Sequence, residues 1–374
     1  MIHLIALCAF FLMVLLVLLV LFVGCGREPF GNQLEDCDIL SLSIPNEGPM
    51  EKVPVTDGFI LFEIDCGGLN NIRMQLEVLV GLSKLSNRTL VLPPKTNWYL
   101  LDQHLIEDVW DTDLLGSKIP LLTYDQWLTM NGHNANISYA KFFRNLREGT
   151  YGNYSEPPWG PSVTVFKNEF LGDPTKIWYF FCTKDNKYKP GNRMFGNIRC
   201  YYRDNPEIRE FILDSLRYRR KYFLESKRIL RNLGLLPGRY NAIHVRVWET
   251  SQYKKSPPDM VLQTVSDMPP SLPILVLSQK PIETITEKLT KMPDTHKIVY
   301  PPRIEDPLEK AIIDMLLVVS AKKFVGSPLS TYSIGIMELR TIFSCDIIDK
   351  TPYFLDGSQR KKCNGGTNFD KVIP

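Results

Sequence analysis

The chain has no arginine- or lysine-rich arm, and its formal net charge is only +3 over 374 residues. That excludes the basic footprint of a nucleic-acid-binding protein, so nucleic acid is not an expected partner. None of its eight cysteines forms a Cys-x-x-Cys pair. A structural zinc site is therefore not expected, and no other metal-ligand set stands out. Charge is also missing between Leu4 and Val23, a stretch built almost wholly from Leu, Val, Phe, Ile, Ala and Met. As a helix this stretch spans roughly 30 Å, the thickness of a bilayer core. A cleavable signal has a shorter apolar core of about 7–15 residues and a small-residue cleavage site. Residues 1–25 are accordingly read as an uncleaved signal anchor that joins the chain to a membrane, with a cleaved signal as the alternative. Either way the remainder is expected in the lumen or outside the cell.

What is present is globular: 44% of residues are hydrophobic and 23% charged, in a chain long enough for about two domains. Beyond Cys8 and Cys25 there are six cysteines, Cys37, Cys66, Cys182, Cys200, Cys345 and Cys363. In a secretory context they suggest three disulfides, for which fifteen pairings exist. Asn-x-Ser/Thr sequons begin at Asn87, Asn136 and Asn153. Asn87 adjoins an apolar strand and is expected to be poorly accessible.

Residues 26–57 are polar, proline-bearing and aperiodic, and read as a stem. Order begins at the apolar run Phe59–Ile64, followed by a Gly-Gly-Leu-Asn-Asn turn and a helix over Ile72–Ser86. Met74, Val78, Leu82 and Leu85 share one helical face there. Thr89–Pro93 reads as the next strand. Strand, glycine-rich turn, helix and strand make a βαβ unit and imply a parallel sheet. From Trp98 to Asn205 the chain is rich in aromatics, Asn and Pro, and reads as loops and irregular helices, including acceptor-binding surface. Glu207–Leu233 reads as one basic helix.

A second α/β pattern begins at Tyr240, with strands over Ala242–Arg246, Pro273–Ser278, Lys297–Tyr300 and Lys323–Gly326. Its helices are expected from Pro281, over Pro307–Lys322 and over Ser330–Thr341. The domain boundaries expected are 58–235 for the first half and 236–374 for the second. Two such halves facing a cleft would take ligands at the carboxyl ends of the strands.

Three constellations carry candidate chemistry. In Cys66-Gly-Gly-Leu-Asn-Asn-Ile-Arg73, Gly67 and Gly68 allow close backbone approach, while Asn70, Asn71 and Arg73 offer donors to an anionic or sugar ligand. A plain βα turn capped by asparagine is the alternative. In Ala242-Ile-His-Val-Arg246, His244 and Arg246 alternate with apolar neighbours. A buried face with such groups needs an anion or a satisfied network, and guanidinium matches phosphate oxygens bidentately. A structural ion pair is the alternative. In Phe324-Val-Gly-Ser-Pro-Leu-Ser-Thr-Tyr-Ser333, hydroxyls and amides at a helix start suit phosphate; simple capping by Ser330 or Thr331 is the alternative. Asp314 stands alone on an apolar helix, a carboxylate that could accept hydrogen bonds from a base; a cap or a salt bridge is the alternative.

In this order these pieces resemble one family. Gly67-Gly-Leu-Asn-Asn-Ile-Arg73 followed by Leu85-Ser-Asn-Arg-Thr-Leu-Val-Leu-Pro-Pro94 is similar to the N-terminal signature of the GDP-fucose protein O-fucosyltransferases. His244-x-Arg246 resembles the His-x-Arg motif these enzymes share with α1,2- and α1,6-fucosyltransferases. Asp314 followed by Ser330-Thr331 resembles the nucleotide-binding end of the same superfamily. The resemblance covers most of residues 58–340.

It implies an α/β, GT-B-like fold with two Rossmann-like domains, the second binding GDP-fucose. It also implies an inverting, metal-independent transfer of fucose to a Ser/Thr hydroxyl of a protein, with GDP-fucose as donor substrate and no cofactor. Arg246 would clamp the β-phosphate, with His244 beside the nucleotide. Asp314 would read the guanine edge, and Ser330 and Thr331 would hold phosphate oxygens. Asn71 matches an asparagine near the reacting sugar. The implied place is the endoplasmic reticulum or Golgi membrane, as a single-pass type II glycoprotein with a lumenal catalytic domain.

Two departures stand out. Val247, Trp248 and Glu249 replace the second arginine and Gly-Asp that often follow His-x-Arg, and Gly67 stands where one subfamily carries a catalytic glutamate. A glycan acceptor, or a catalytically weak carbohydrate- or protein-binding relative, is the alternative reading. Asp111-Thr-Asp113 matches a metal-binding D-x-D but is read as chance.

Overall fold

The computed structural model describes residues 37–43, 48, 50–65, 67–99, 101–130, 177–180, 205–246, 258–278, 287, 289, 297–327, 330–343 and 345–355. The apolar stretch Leu4–Val23, the sequons at Asn136 and Asn153, and Cys66, Cys182, Cys200 and Cys363 lie outside them. So do Val247, Trp248, Glu249 and most of the helix expected from Pro281. Among the described residues no helix is long and apolar enough to cross a membrane.

In the first half, β1 (Phe59–Phe62) leads through the Gly67-Gly68 turn into α1 (Leu69–Ser86) and β2 (Thr89–Leu92). A short antiparallel hairpin, β3 (Thr96–Trp98) and β4 (Leu101–His104), follows with α2 (Ile106–Val109) and α3 (Thr112–Lys118). Then come β5 (Leu121–Thr123), α4 (Tyr124–Met130) and β6 (Ile177–Phe180). These strands form a parallel sheet in the order β5-β2-β1-β6. Every residue of β1 and β2 is buried, as expected for parallel strands covered on both faces.

The helix α1 is buried nearly all round rather than along one face. Ile72, Leu76, Leu79 and Val80 are as inaccessible as the expected Val78 and Leu82. The first sheet covers one side of α1, and later helices cover the other. Its Gln75 side chain extends the β1 backbone, donating from Nε2 to Glu63 O (2.7 Å) and accepting the Asp65 N–H at Oε1 (2.8 Å).

Next along the chain come α5 (Pro206–Ser215) and α6 (Arg220–Asn232), two helices where one was expected. The break has a long-range cause. Asp111 N–H donates to Arg217 O (2.9 Å) and Arg219 N–H to Val109 O (3.0 Å), so the intervening backbone pairs with another segment. Tyr218 then stacks on Trp110, ring centroids 6.1 Å apart.

Next come β7 (Asn241–Val245), α7 (Pro258–Ser266), β8 (Ile274–Ser278) and β9 (Ile298–Val299). They are followed by α8 (Pro307–Val319), β10 (Lys323–Gly326), α9 (Thr331–Ile342) and β11 (Tyr353–Phe354). These five strands are parallel, in the order β11-β10-β7-β8-β9. Pro307 opens α8, and Asp306 caps it by accepting from Leu308 N–H (2.7 Å) and Glu309 N–H (3.1 Å).

The other end of α8 is closed by one buried side chain, Arg340 of α9. Its Nη1 donates to Val318 O (3.0 Å), Val319 O (2.7 Å) and Ala321 O (2.7 Å). Its Nη2 reaches Lys322 O (3.3 Å) and Asp349 O (2.7 Å). Val318 and Val319 belong to the last turn of α8, where a helix end leaves carbonyls short of intrahelical partners.

One apolar cluster runs through both halves, from Ile60, Phe62 and Leu90 to Ala242, Leu275 and Phe324, and a smaller one lines the other face of the second sheet. Part of the segment read as stem belongs to this core. A 3-10 turn, Ile39–Leu42, buries Ile39 and Leu42, and Cys37 is bonded to Cys345 just past α9. Trp98, Trp110 and Trp127 are also buried, so these aromatics of the middle segment build core rather than surface. Asn87, expected to be hidden, is exposed, at a left-handed C-cap with φ 50°.

Candidate active site at the strand-order reversal

From β7 the chain moves outward to β8 and β9, then returns to lay β10 and β11 on the opposite side of β7. The order therefore reverses between β7 and β10. In open parallel sheets the crevice at such a reversal, beyond the carboxyl ends of the strands, is where ligands bind. His244 ends β7 with Val245, Arg246 follows directly, and Ser327 follows β10.

A closed set of hydrogen bonds joins these ends. Ser327 Oγ donates to His244 O (2.7 Å) and accepts the Arg246 N–H (2.8 Å). Ser327 N–H donates to Ser333 Oγ (3.0 Å), which lies 2.8 Å from His244 Nδ1. The Ser333 hydroxyl thus serves both the Ser327 amide and one nitrogen of the His244 ring. Burial, and secondarily the Arg246 charge, depress the His244 pKa to about 3. This packing needs a glycine before Ser327. A Cβ on Gly326 would sit 2.6 Å from Ser333 Cβ.

Ser330 caps α9, its Oγ accepting the Ser333 N–H (3.3 Å), and Thr331 opens the helix. Tyr332 connects this end to α8. Its ring centroid lies 5.0 Å from that of His244, and its hydroxyl donates to Ala311 O (2.7 Å). Asp314, one turn further along α8, is 6% exposed. Its Oδ2 is held by Lys310 Nζ, while Oδ1 has no partner among the described residues. Burial raises the Asp314 pKa and Lys310 opposes the rise. Asp314 in turn adds to the upward shift that burial gives the Tyr332 phenol.

The Gly67-Gly68 turn reaches the same helix from the first half. Gly68 is the N-cap of α1, its carbonyl accepting the Asn71 N–H (2.8 Å). Asn70, 4% exposed, has neither amide atom bonded among the described residues. Its Oδ1 lies 2.4 Å from where a Cβ on Gly335 would stand, so α1 and α9 approach this closely only over a glycine. Asn71 Oδ1 is likewise buried without a partner, and Asn71 Nδ2 lies 1.7 Å from where a Gly67 Cβ would stand.

No family model matches the chain, and no curated protein matches it in sequence. Solved structures do. POFUT1 in complex with GDP superposes with a TM-score of 0.50 at 14% identity, over 81% of this chain and 99% of that one. The chain has the fold of GDP-fucose fucosyltransferases. A mutant of Arabidopsis thaliana FUT1 in complex with GDP gives a TM-score of 0.49 at 16% identity, covering 88% of this chain and 75% of that one. The fucosyltransferase NodZ from Bradyrhizobium gives 0.46 at 13% identity, over 77% and 93%.

In this fucosyltransferase fold His244, Arg246, Ser330 and Thr331 lie at the carboxyl ends of β7 and β10, Asp314 lies on α8 near enough to Tyr332 to shift its phenol, and Asn70 is packed against α9. Arg73 is not. Its Nε donates to Glu77 Oε1 (3.0 Å), and its guanidinium lies 5.4 Å from the centre of the Tyr218 ring. Both partners of this ion pair are buried, so Arg73 is engaged inside the core and is not a donor to ligand.

Ser327, Tyr332 and Ser333 were missed as site residues, although all three lie in the stretch singled out for phosphate. The signal available was the glycine before Ser327 and the hydroxyl three residues after the cap. Asp111 caps α3, accepting the Leu114 N–H (2.9 Å), and Asp113 pairs with Lys52 (2.6 Å). Among the described residues no three His, Cys, Asp or Glu side chains gather as a metal site.

Proposed function

We propose that this protein transfers fucose from GDP-fucose to a Ser/Thr hydroxyl of a protein acceptor, with inversion and without a metal. The reading includes a GT-B arrangement of two Rossmann-like halves facing a cleft. It places the enzyme in the lumen of the endoplasmic reticulum or Golgi, held by residues 1–25 as a type II anchor.

The observation that carries it is the clustering of His244, Arg246, Ser327, Ser330, Thr331 and Ser333 at the β7–β10 reversal, beside the under-bonded carboxylate of Asp314. The halves of this cluster suit the two ends of a guanine nucleotide. The hydroxyls of Ser330 and Thr331, the backbone amides at the start of α9 and the Arg246 guanidinium match a diphosphate. Asp314 Oδ1, buried and without a partner among the described residues, suits the N1–H and amino group of guanine, and Lys310 holds the other oxygen of that carboxylate.

In the reaction, negative charge grows on the diphosphate as the sugar–oxygen bond breaks. A guanidinium that meets that charge lowers the barrier by more than it stabilises bound substrate. His244, neutral and hydrogen-bonded to Ser333, orders the floor of the site rather than exchanging protons. The test is GDP release from GDP-fucose with peptide and glycan acceptors in EDTA. Transfer to peptide serine or threonine supports the reading, and dependence on added metal contradicts it.

A further inference from the structure

The first sheet has a reversal of its own. Its order, β5-β2-β1-β6, turns back between β1 and β6, and Asp65 lies just beyond the carboxyl end of β1. Asp65 is buried and fixed at two points. Its Oδ1 accepts the Gly67 N–H (2.7 Å), and its own N–H donates to Gln75 Oε1 (2.8 Å). Gly67 adds no side chain, and the space one would need is taken by the Asn71 amide. Asn70 packs against Gly335 of α9, the helix that starts at the donor cluster. A carboxylate and two asparagines whose buried amide atoms have no partner among the described residues thus share one turn, and Asn70 sets that turn against the helix of the donor site. Amides and a carboxylate together are the chemistry that binds hydroxyls and removes their protons.

We propose that Asp65 is the general base of the transfer, taking the proton of the attacking hydroxyl; the inference rests on the GDP-fucose reading above. In the step, the hydroxyl oxygen forms its bond to C1 of fucose and its proton passes to the Asp65 carboxylate. The C1–O bond to the β-phosphate breaks, and GDP leaves with the electron pair. Burial raises the Asp65 pKa, with the Gly67 amide opposing, so the carboxyl is displaced in the direction that improves a base.

The test uses the full chain and water as the acceptor, with GDP release from GDP-fucose and the GDP-induced rise in Tm measured on the same preparations. Asp65→Asn keeps an acceptor for the Gly67 N–H and removes the base. It should lose about a hundredfold or more in turnover, with GDP stabilisation unchanged, and the acidic limb of the kcat/KM profile should disappear. Asp65→Glu keeps a carboxylate and should keep that limb. An Asp65→Asn protein with full turnover overturns the proposal, as does one whose turnover and GDP stabilisation fall together. So does an Asp65→Glu protein without the limb. If GDP fails to stabilise the unaltered chain, the transfer reading falls and the base falls with it. If GDP stabilises the chain while Asp65→Asn stays fully active, only the base is lost.

Discussion

Ser333 and His244 are held 2.8 Å apart, hydroxyl to Nδ1, and this bond ties the start of α9 to the end of β7. Ser333→Ala would leave a buried ring nitrogen without a partner and would also free the Ser327 amide. It should cost about 1–3 kcal/mol of stability and weaken GDP binding, because the two walls of the site would no longer be joined. Chemical denaturation and GDP titration of the same variant check both effects.

His244 should make the protein acid-sensitive in a defined window. In the unfolded chain its imidazole takes up a proton near pH 6.5, in the folded protein only near about 3. Between these values the unfolded state binds more protons, so stability falls as pH drops and is unaffected by this group above the window. The slope is about 1.4 kcal/mol per pH unit. His244→Asn should flatten the stability–pH curve there, and an unchanged curve would show that the ring is protonated in the folded state.

Arg246 is expected to act on the leaving group. Arg246→Lys keeps the charge but loses the planar fork, and should lower turnover roughly a hundredfold, about 3 kcal/mol. Arg246→Ala should abolish measurable transfer while leaving Tm nearly unchanged. A purely structural role predicts the reverse, with activity kept and about 3–5 kcal/mol of stability lost.

Arg340 is the opposite case, a buried cation devoted to the fold. Its desolvation depresses its pKa to about 10, and five carbonyls depend on it. Arg340→Met should cost at least about 3 kcal/mol, since a buried set of hydrogen bonds donated by one cation would be lost. Arg340→Lys should recover only part of this, read as the urea midpoint at constant slope.

The strands were legible where burial on both faces wrote continuous apolar runs, as in β7, β8 and β10. The helix α8 was legible through Pro307 and its apolar sequence, with its end misplaced because Arg340 replaces a local stop signal. The break between α5 and α6 was not, because Tyr218 and Arg219 pair with Val109–Asp111, far away in sequence. Cys37–Cys345 was one of fifteen possible pairings, and nothing local marks it. At the site, His244, Arg246, Asp314 and the Ser330–Thr331 pair could be chosen from residue type and order. Arg73 could not be rejected, since only packing shows that Glu77 and Tyr218 claim it. Ser333 and Ser327 were hidden because their role depends on two strand ends meeting.

The β7–β10 reversal is expected to bind a guanine nucleotide. The most direct measurement is the Tm shift given by saturating GDP, UDP and CMP on the unaltered protein and on Asp314→Ala. A ligand at a hundred times its Kd stabilises by about 2.7 kcal/mol. GDP should do so, UDP and CMP should not, and Asp314→Ala should lose the GDP shift while remaining folded. Equal shifts from GDP and UDP on the unaltered protein would show that this site does not read guanine.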